Sequence, residues 1–128
     1  MYIRSLKDVE KQGMRVDWGG GSSHRLVTAQ DKMGFAVCHT IVSPGTASKL
    51  EYKNHLEACY CICGHGEVET PDGTIYKIPE GTIYVLDQHD AHILRNNSDA
   101  DWVLVSIFNP PLTGNEVHNL TDDGYSGY

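Results

Sequence analysis

The sequence predicts an all-β fold: a jelly-roll barrel of short strands with one short helix at its N-terminus. Three observations predict it. Turn-forming residues recur every ~8–12 residues along the chain, the rhythm of a sandwich or barrel. The segments between them are β-branched and aromatic, with no sustained helical period. The one helix signal is a capping box at the start, Ser5 with Asp8 three residues on.

In order, residues 1–12 hold the short helix, the glycine run at 19–23 reads as a loop, and 25–28 as a strand. A turn at 30–34 leads to an apolar, β-branched strand at 35–42. Ser43-Pro44-Gly45 turns the chain before 50–63, which suits one or two strands, and Gly64-His65-Gly66 turns it again. Segments 67–70 and 74–78 flank Pro71-Asp72-Gly73, a strong hairpin signal. After Pro79-Glu80-Gly81 come strands at 83–86, 92–95 and 102–108. Regular structure ends at 109–114, and 119–128 read as a flexible tail. The sum is about eight to ten strands in a single domain covering 1–128.

The 128 residues fit one domain, since a typical domain holds about 100–150. A formal charge of −7 disfavours nucleic acid and anionic membrane as partners, because both need a basic patch. No apolar run approaches the ~18 residues of a membrane span, and the N-terminus lacks the apolar stretch of a signal peptide. A cytoplasmic location is the expectation. Of four cysteines, Cys59, Cys61 and Cys63 alternate. A disulfide framework would spread its cysteines to staple loops. On a strand these three would lie ~6.6 Å apart in steps, awkward for closing on one ion, so buried reduced thiols are the simpler reading.

Two spacings narrow the fold. Gly45 is followed by five residues, Glu51, Tyr52, Lys53, three residues, Glu57, six residues and Gly64. This resembles the first cupin motif, G-x5-H-x-H-x3-E-x6-G, with both histidines replaced. Gly73, five residues, Pro79-Glu80-Gly81, two residues and Tyr84 resemble the second, G-x5-P-x-G-x2-H, with its histidine replaced. The resemblance implies the cupin double-stranded β-helix. Only Glu57 stands in its own metal slot. Tyr84 fills the fourth-ligand slot, and His92 follows within His89-Asp90-Ala91-His92. One carboxylate, one phenolate and one imidazole suit iron or another divalent first-row ion. The same three residues equally suit a metal-free hydrogen-bonded cluster inside a barrel.

Longer segments resemble the L-ectoine synthase family. They are the opening Ile3-Arg4-Ser5-Leu6-Lys7-Asp8, the run at 52–62, Gly64-x-Gly-Glu67, the run at 81–87, His89-Asp-x-His92 and 108–118. The resemblance implies an enzyme, a carbon–oxygen hydro-lyase. It would close N-γ-acetyl-L-2,4-diaminobutyrate into ectoine, a compatible solute of osmotic stress, with loss of water. It implies Glu57, Tyr84 and His92 as ligands of Fe(II), with Zn(II) or another first-row ion as alternatives. It implies Arg25 on the substrate carboxylate, Thr40, Tyr52 and Phe108 lining the pocket, and Glu116 and His118 at the substrate's amino end. Tyr52, Glu116 and His118 would be catalytic. A homodimer is expected, as in most cupins.

The chain departs from that pattern at a few places. Where the family carries a tryptophan, four residues before the arginine, this chain has Gly21, and its nearest tryptophan is Trp18. Either the glycine loop lets Trp18 swing in or that wall of the pocket is missing. Cys38 stands where an asparagine is common. The departures leave open a related cyclase or hydro-lyase acting on another diamino acid derivative, or a non-enzymatic cupin that binds a small molecule.

Overall fold

A computed structural model describes residues 1–120 and 124–128. Helix α1 (Leu6–Lys11) starts as the capping box requires: the Asp8 amide donates to Ser5 Oγ at 3.1 Å and the Ser5 amide to Asp8 Oδ2 at 2.8 Å. Twelve strands follow among the described residues. They are β1 (Arg15–Asp17), β2 (Gly21–Val27), β3 (Ala36–Val42), β4 (Thr46–Leu50), β5 (Leu56–Cys63), β6 (Gly66–Glu69), β7 (Ile75–Ile78), β8 (Ile83–Leu86), β9 (His92–Asn96), β10 (Trp102–Asn109), β11 (Asn119–Leu120) and β12 (Ser126–Gly127). They form two six-stranded sheets, β1-β2-β3-β10-β5-β8 and β11-β12-β4-β9-β6-β7, the double-stranded β-helix. Frame glycines Gly45 and Gly73 turn the chain at φ +69° and +86°, which L side chains rarely adopt.

Register decides what faces inward, because opposed residues in antiparallel strands share a side. One row crosses five strands of the first sheet: Arg25, Cys38, Ser106, Cys59, Tyr84. A second row carries Ala36, Phe108, Glu57 and Leu86. The other sheet closes over them with Leu50, His92 and Leu94, all buried.

Two expectations fail here. The glycine run is not all loop, since β2 begins at Gly21, four residues before the expected strand. A Cβ at Gly21 would lie 1.8 Å from the Ile41 carbonyl oxygen, so a bare backbone is what allows the two strands to pair there. Nor are residues 119–120 and 124–128 a loose tail, the rest of the expected tail lying outside the described residues. They include β11 and β12, and the Glu51 amide donates to the Ser126 carbonyl at 2.9 Å, pairing β12 parallel to β4. The returning segment ends in Tyr128, whose partly buried ring packs on Tyr52.

The cysteines divide. Cys38, Cys59 and Cys61 are buried, but Cys63 is exposed. Between Cys61 and Cys63 the pairing with β10 slips at Val103/Leu104, a bulge that turns Cys63 to the outer face. Cys61 accepts from the Trp102 indole at 3.2 Å. It belongs to the core, and among the four thiols only Cys59 lines the central cavity.

Candidate active site

The cavity lies between the sheets. Of the residues singled out from sequence, Thr40, Tyr52, Glu57, Tyr84, Phe108 and His118 line it. Arg25, His92 and Glu116 are not among its lining residues, but Arg25 reaches Tyr128, His92 packs on Tyr84 and Glu116 lies beside Arg25.

At one end are Glu57, Tyr84 and His92. Glu57 is 7% exposed, and burial raises its carboxyl to about 8. Burial likewise raises the phenol of Tyr84 well above its ordinary range. His92 packs beside Tyr84 with ring centres 6.3 Å apart. Its Nδ1 is held by the Asp90 carbonyl at 2.9 Å, while its Nε2 is buried without a hydrogen-bond partner. An imidazole fixed through one nitrogen and bare at the other is the arrangement of a metal ligand. With the Tyr84 phenol packed on it and the Glu57 carboxyl lining the same cavity as Tyr84, both of which a bound cation would deprotonate, the residue types suit a divalent first-row cation. No trio of His, Cys, Asp and Glu alone could hold a metal among the described residues. A set built here would need Tyr84 as its third donor.

At the other end is a polar network under an aromatic roof. Arg25 is 1% exposed. Its Nε donates to Ser23 Oγ at 3.1 Å, Nη1 to the Gly114 carbonyl at 3.0 Å, and Nη2 to Tyr128 Oη at 3.5 Å. Glu116 Oε1 lies 4.0 Å from Arg25 Nη1. Burial would raise the Glu116 carboxyl, but the amides of Thr113 and Gly114, donating at 2.7 and 2.9 Å, outweigh it and hold it below the ordinary range. Burial, with the Arg25 charge, lowers His118 to about 4. Burial keeps the Tyr52 phenol protonated, so it donates to His118 Nε2 at 3.0 Å. Thr40 and Ser106 hydroxyls meet at 2.9 Å on the floor.

Two wall residues stand out. Trp18 swings in: its ring packs on His118 at 5.6 Å, and its indole Nε1 is buried without a partner. Gly20 makes room for it, since a Cβ there would lie 2.5 Å from the Trp18 ring. Sequence reasoning missed Tyr128, which packs on Tyr52 and His118 at 4.9 and 5.1 Å. An aromatic residue in an otherwise polar, glycine-rich segment was the available signal.

The family model described as ectoine synthase matches residues 1–126 of this chain. The chain belongs to the ectoine synthase family. The L-ectoine synthase of Desulfatibacillum aliphaticivorans is 46% identical over 127 residues, covering 97% of this chain and 95% of that one. That of Halalkalibacterium halodurans is 44% identical over 120 residues, 93% and 92% of the two chains. The crystal structure of ectoine synthase from P. lautus superposes with a TM-score of 0.82 at 40% identity, over 89% of this chain and 81% of that one. A cupin 2 conserved barrel domain protein from Salinispora arenicola, TM-score 0.67 at 21% identity over 84% and 87%, shares the fold.

Proposed function

We propose that this chain is an ectoine synthase, a hydro-lyase that closes N-γ-acetyl-L-2,4-diaminobutyrate into L-ectoine. The observation that carries the reading is the family match along residues 1–126. In the reaction the α-amine attacks the acetamide carbonyl carbon, a C–N bond forms, and the former carbonyl oxygen leaves as water to give a cyclic amidine.

Glu57, Tyr84 and His92 would hold the metal, Fe(II) in the first instance, with Zn(II) or another first-row ion as the alternative. When bound, such an ion supplies Lewis-acid polarisation of a carbonyl oxygen. The chain's own residues account for the rest. Arg25 offers a planar fork to the substrate carboxylate once Tyr128 withdraws from it. His118, neutral at pH 7, can take the attacking amine's proton at Nε2 once that nitrogen is released from the Tyr52 hydroxyl, and Tyr52, still protonated, is then free to give one to the departing oxygen. Glu116, ionised, steadies the cationic form of the amine. Thr40, Phe108 and Trp18 shape the wall and exclude the water that favours hydrolysis. With Tyr128 in place the cavity holds about 20 Å³, room for about one water, so the substrate enters by displacing that ring.

The reading extends to a cytoplasmic enzyme of compatible-solute synthesis that works as a homodimer. Among the described residues no helix is long and apolar enough to cross a membrane. A second copy would cover the exposed Tyr60, Ile62, Ile83 and Val85 on neighbouring strands β5 and β8. Sedimentation of the purified protein tests this, with a monomer at micromolar concentration as the contrary result.

A second reading, turnover of a different N-acyl diamino acid, is favoured by the relocated tryptophan, which reaches the cavity wall from position 18 and not from position 21. One assay separates the two. The protein is incubated anaerobically with Fe(II) and N-γ-acetyl-diaminobutyrate, and the products are chromatographed. Ectoine supports the first reading. No ectoine at any iron concentration, with turnover of a related acyl diamine, supports the second. No turnover of any acyl diamine and no stoichiometric metal would leave a non-enzymatic binding protein.

A further inference from the structure

We infer that the cation reaches its ligands through a second cavity, between edge strands β7 and β8, and not through the substrate cavity. The inference rests on the proposed ligand set of Glu57, Tyr84 and His92. This second cavity measures about 260 Å³ and is lined by Val68, Thr70, Tyr76, Asp90 and both Tyr84 and His92. Strands β7 and β8 end their respective sheets, so no backbone ladder closes the seam between them. Tyr76 is 53% exposed, so the cavity opens to solvent there, while His92, 1% exposed, stands at its inner end.

The ligands divide between the two cavities. Glu57 faces the substrate side, His92 the seam side, and Tyr84 is the one described residue common to both linings. A cation entering from the seam therefore meets His92 and Tyr84 first and Glu57 last. The substrate side offers a poorer route, because Trp18, His118 and Tyr128 roof a space of only about 20 Å³. Charge favours the seam as well. Asp90 lines its wall, with its carboxylate accepting from the Gln88 amide at 3.0 Å, and an acidic side chain beside a narrow cleft concentrates cations there. The Asp90 backbone carbonyl also orients His92.

Metal-free full-length protein mixed anaerobically with Co(II) in a stopped-flow instrument tests the route. The absorbance of the bound ion reports the association rate, and dialysis reports the final content. Thr70→Trp, which narrows the seam, should slow association at least about tenfold with the final content unchanged. Asp90→Asn keeps an acceptor for the Gln88 amide, so the turn survives. It should slow association about threefold at low ionic strength, a difference that closes in high salt. Tyr128→Ala, which opens the roof, should leave the rate within about twofold. Faster loading in Tyr128→Ala together with parental loading in Asp90→Asn would overturn the route, even if Thr70→Trp fails to fold. Failure of the ligand set looks different: His92→Ala and Tyr84→Phe would then bind Co(II) with the parental content and spectrum, whatever the rates.

Discussion

The two ends of the cavity are built on opposite terms. At the ligand end, His92 Nε2 is buried with no partner and the buried Glu57 carboxyl is raised by its burial. At the roof, the charges are answered within the chain, Arg25 by Ser23, Gly114 and Tyr128 and Glu116 by two backbone amides, and His118 Nε2 meets Tyr52, while Trp18 Nε1 and His118 Nδ1 are buried without partners. Buried polar groups are costly to leave unmatched. The first arrangement is the one that the proposed cation would complete. The second already pairs its charges, so substrate must exchange its own carboxylate and amine for contacts the chain makes, and among the described residues of the roof only Trp18 Nε1 and His118 Nδ1 stand ready for a new partner.

Variants that break the comparison should follow this division. The largest effect is expected at the ligand end. Glu57→Ala or His92→Ala should lose the metal, and turnover should fall by on the order of 10³ or more, the worth of several kcal/mol of Lewis-acid stabilisation. Metal analysis and anaerobic assay check both, and retained activity with retained iron would show the ligands are misassigned. At the roof, Arg25→Ala strands the Gly114 carbonyl and should cost about 2–4 kcal/mol of stability, read from denaturant midpoints. The ligand-end variants lose function without a comparable loss of fold.

Smaller effects sharpen the contrast. Trp18→Phe keeps the ring but loses the N–H, and should raise KM about tenfold with little change in melting temperature. His118 adds a pH signature. Its folded value, lowered to about 4, lies below the ordinary 6.5. The unfolded chain thus takes up a proton that the folded one refuses. This contribution to stability is present above about pH 6.5 and is lost as the pH falls through 6.5 toward 4. Urea melts across that window should show the slope in the parent and a shallower one in His118→Gln. Smallest of all, Cys63→Ser, on the outer face, should move stability by less than about 0.5 kcal/mol.

The parts of this design that rest on short-range rules were legible in the sequence. The glycine and proline frames around Glu57 and Tyr84 announced the fold, and alternation placed Glu57 and Cys59 on one inner face. Long-range effects were not legible. A Cβ clash with the Ile41 carbonyl makes Gly21 a strand residue, and a bulge near Val103 turns Cys63 outward. The return of Tyr128 depends on a parallel pairing with β4, which no local pattern encodes. Trp18 was visible as a candidate, but only its fit over Gly20 shows that the wall is present.

The most direct test is an anaerobic titration of metal-free protein with Fe(II) in the presence of N-γ-acetyl-L-2,4-diaminobutyrate, with ectoine measured at each step. Ectoine formation should rise in proportion to added iron and break at one ion per chain. Ectoine made at full rate by the metal-free protein, or none at any iron concentration, would contradict the account.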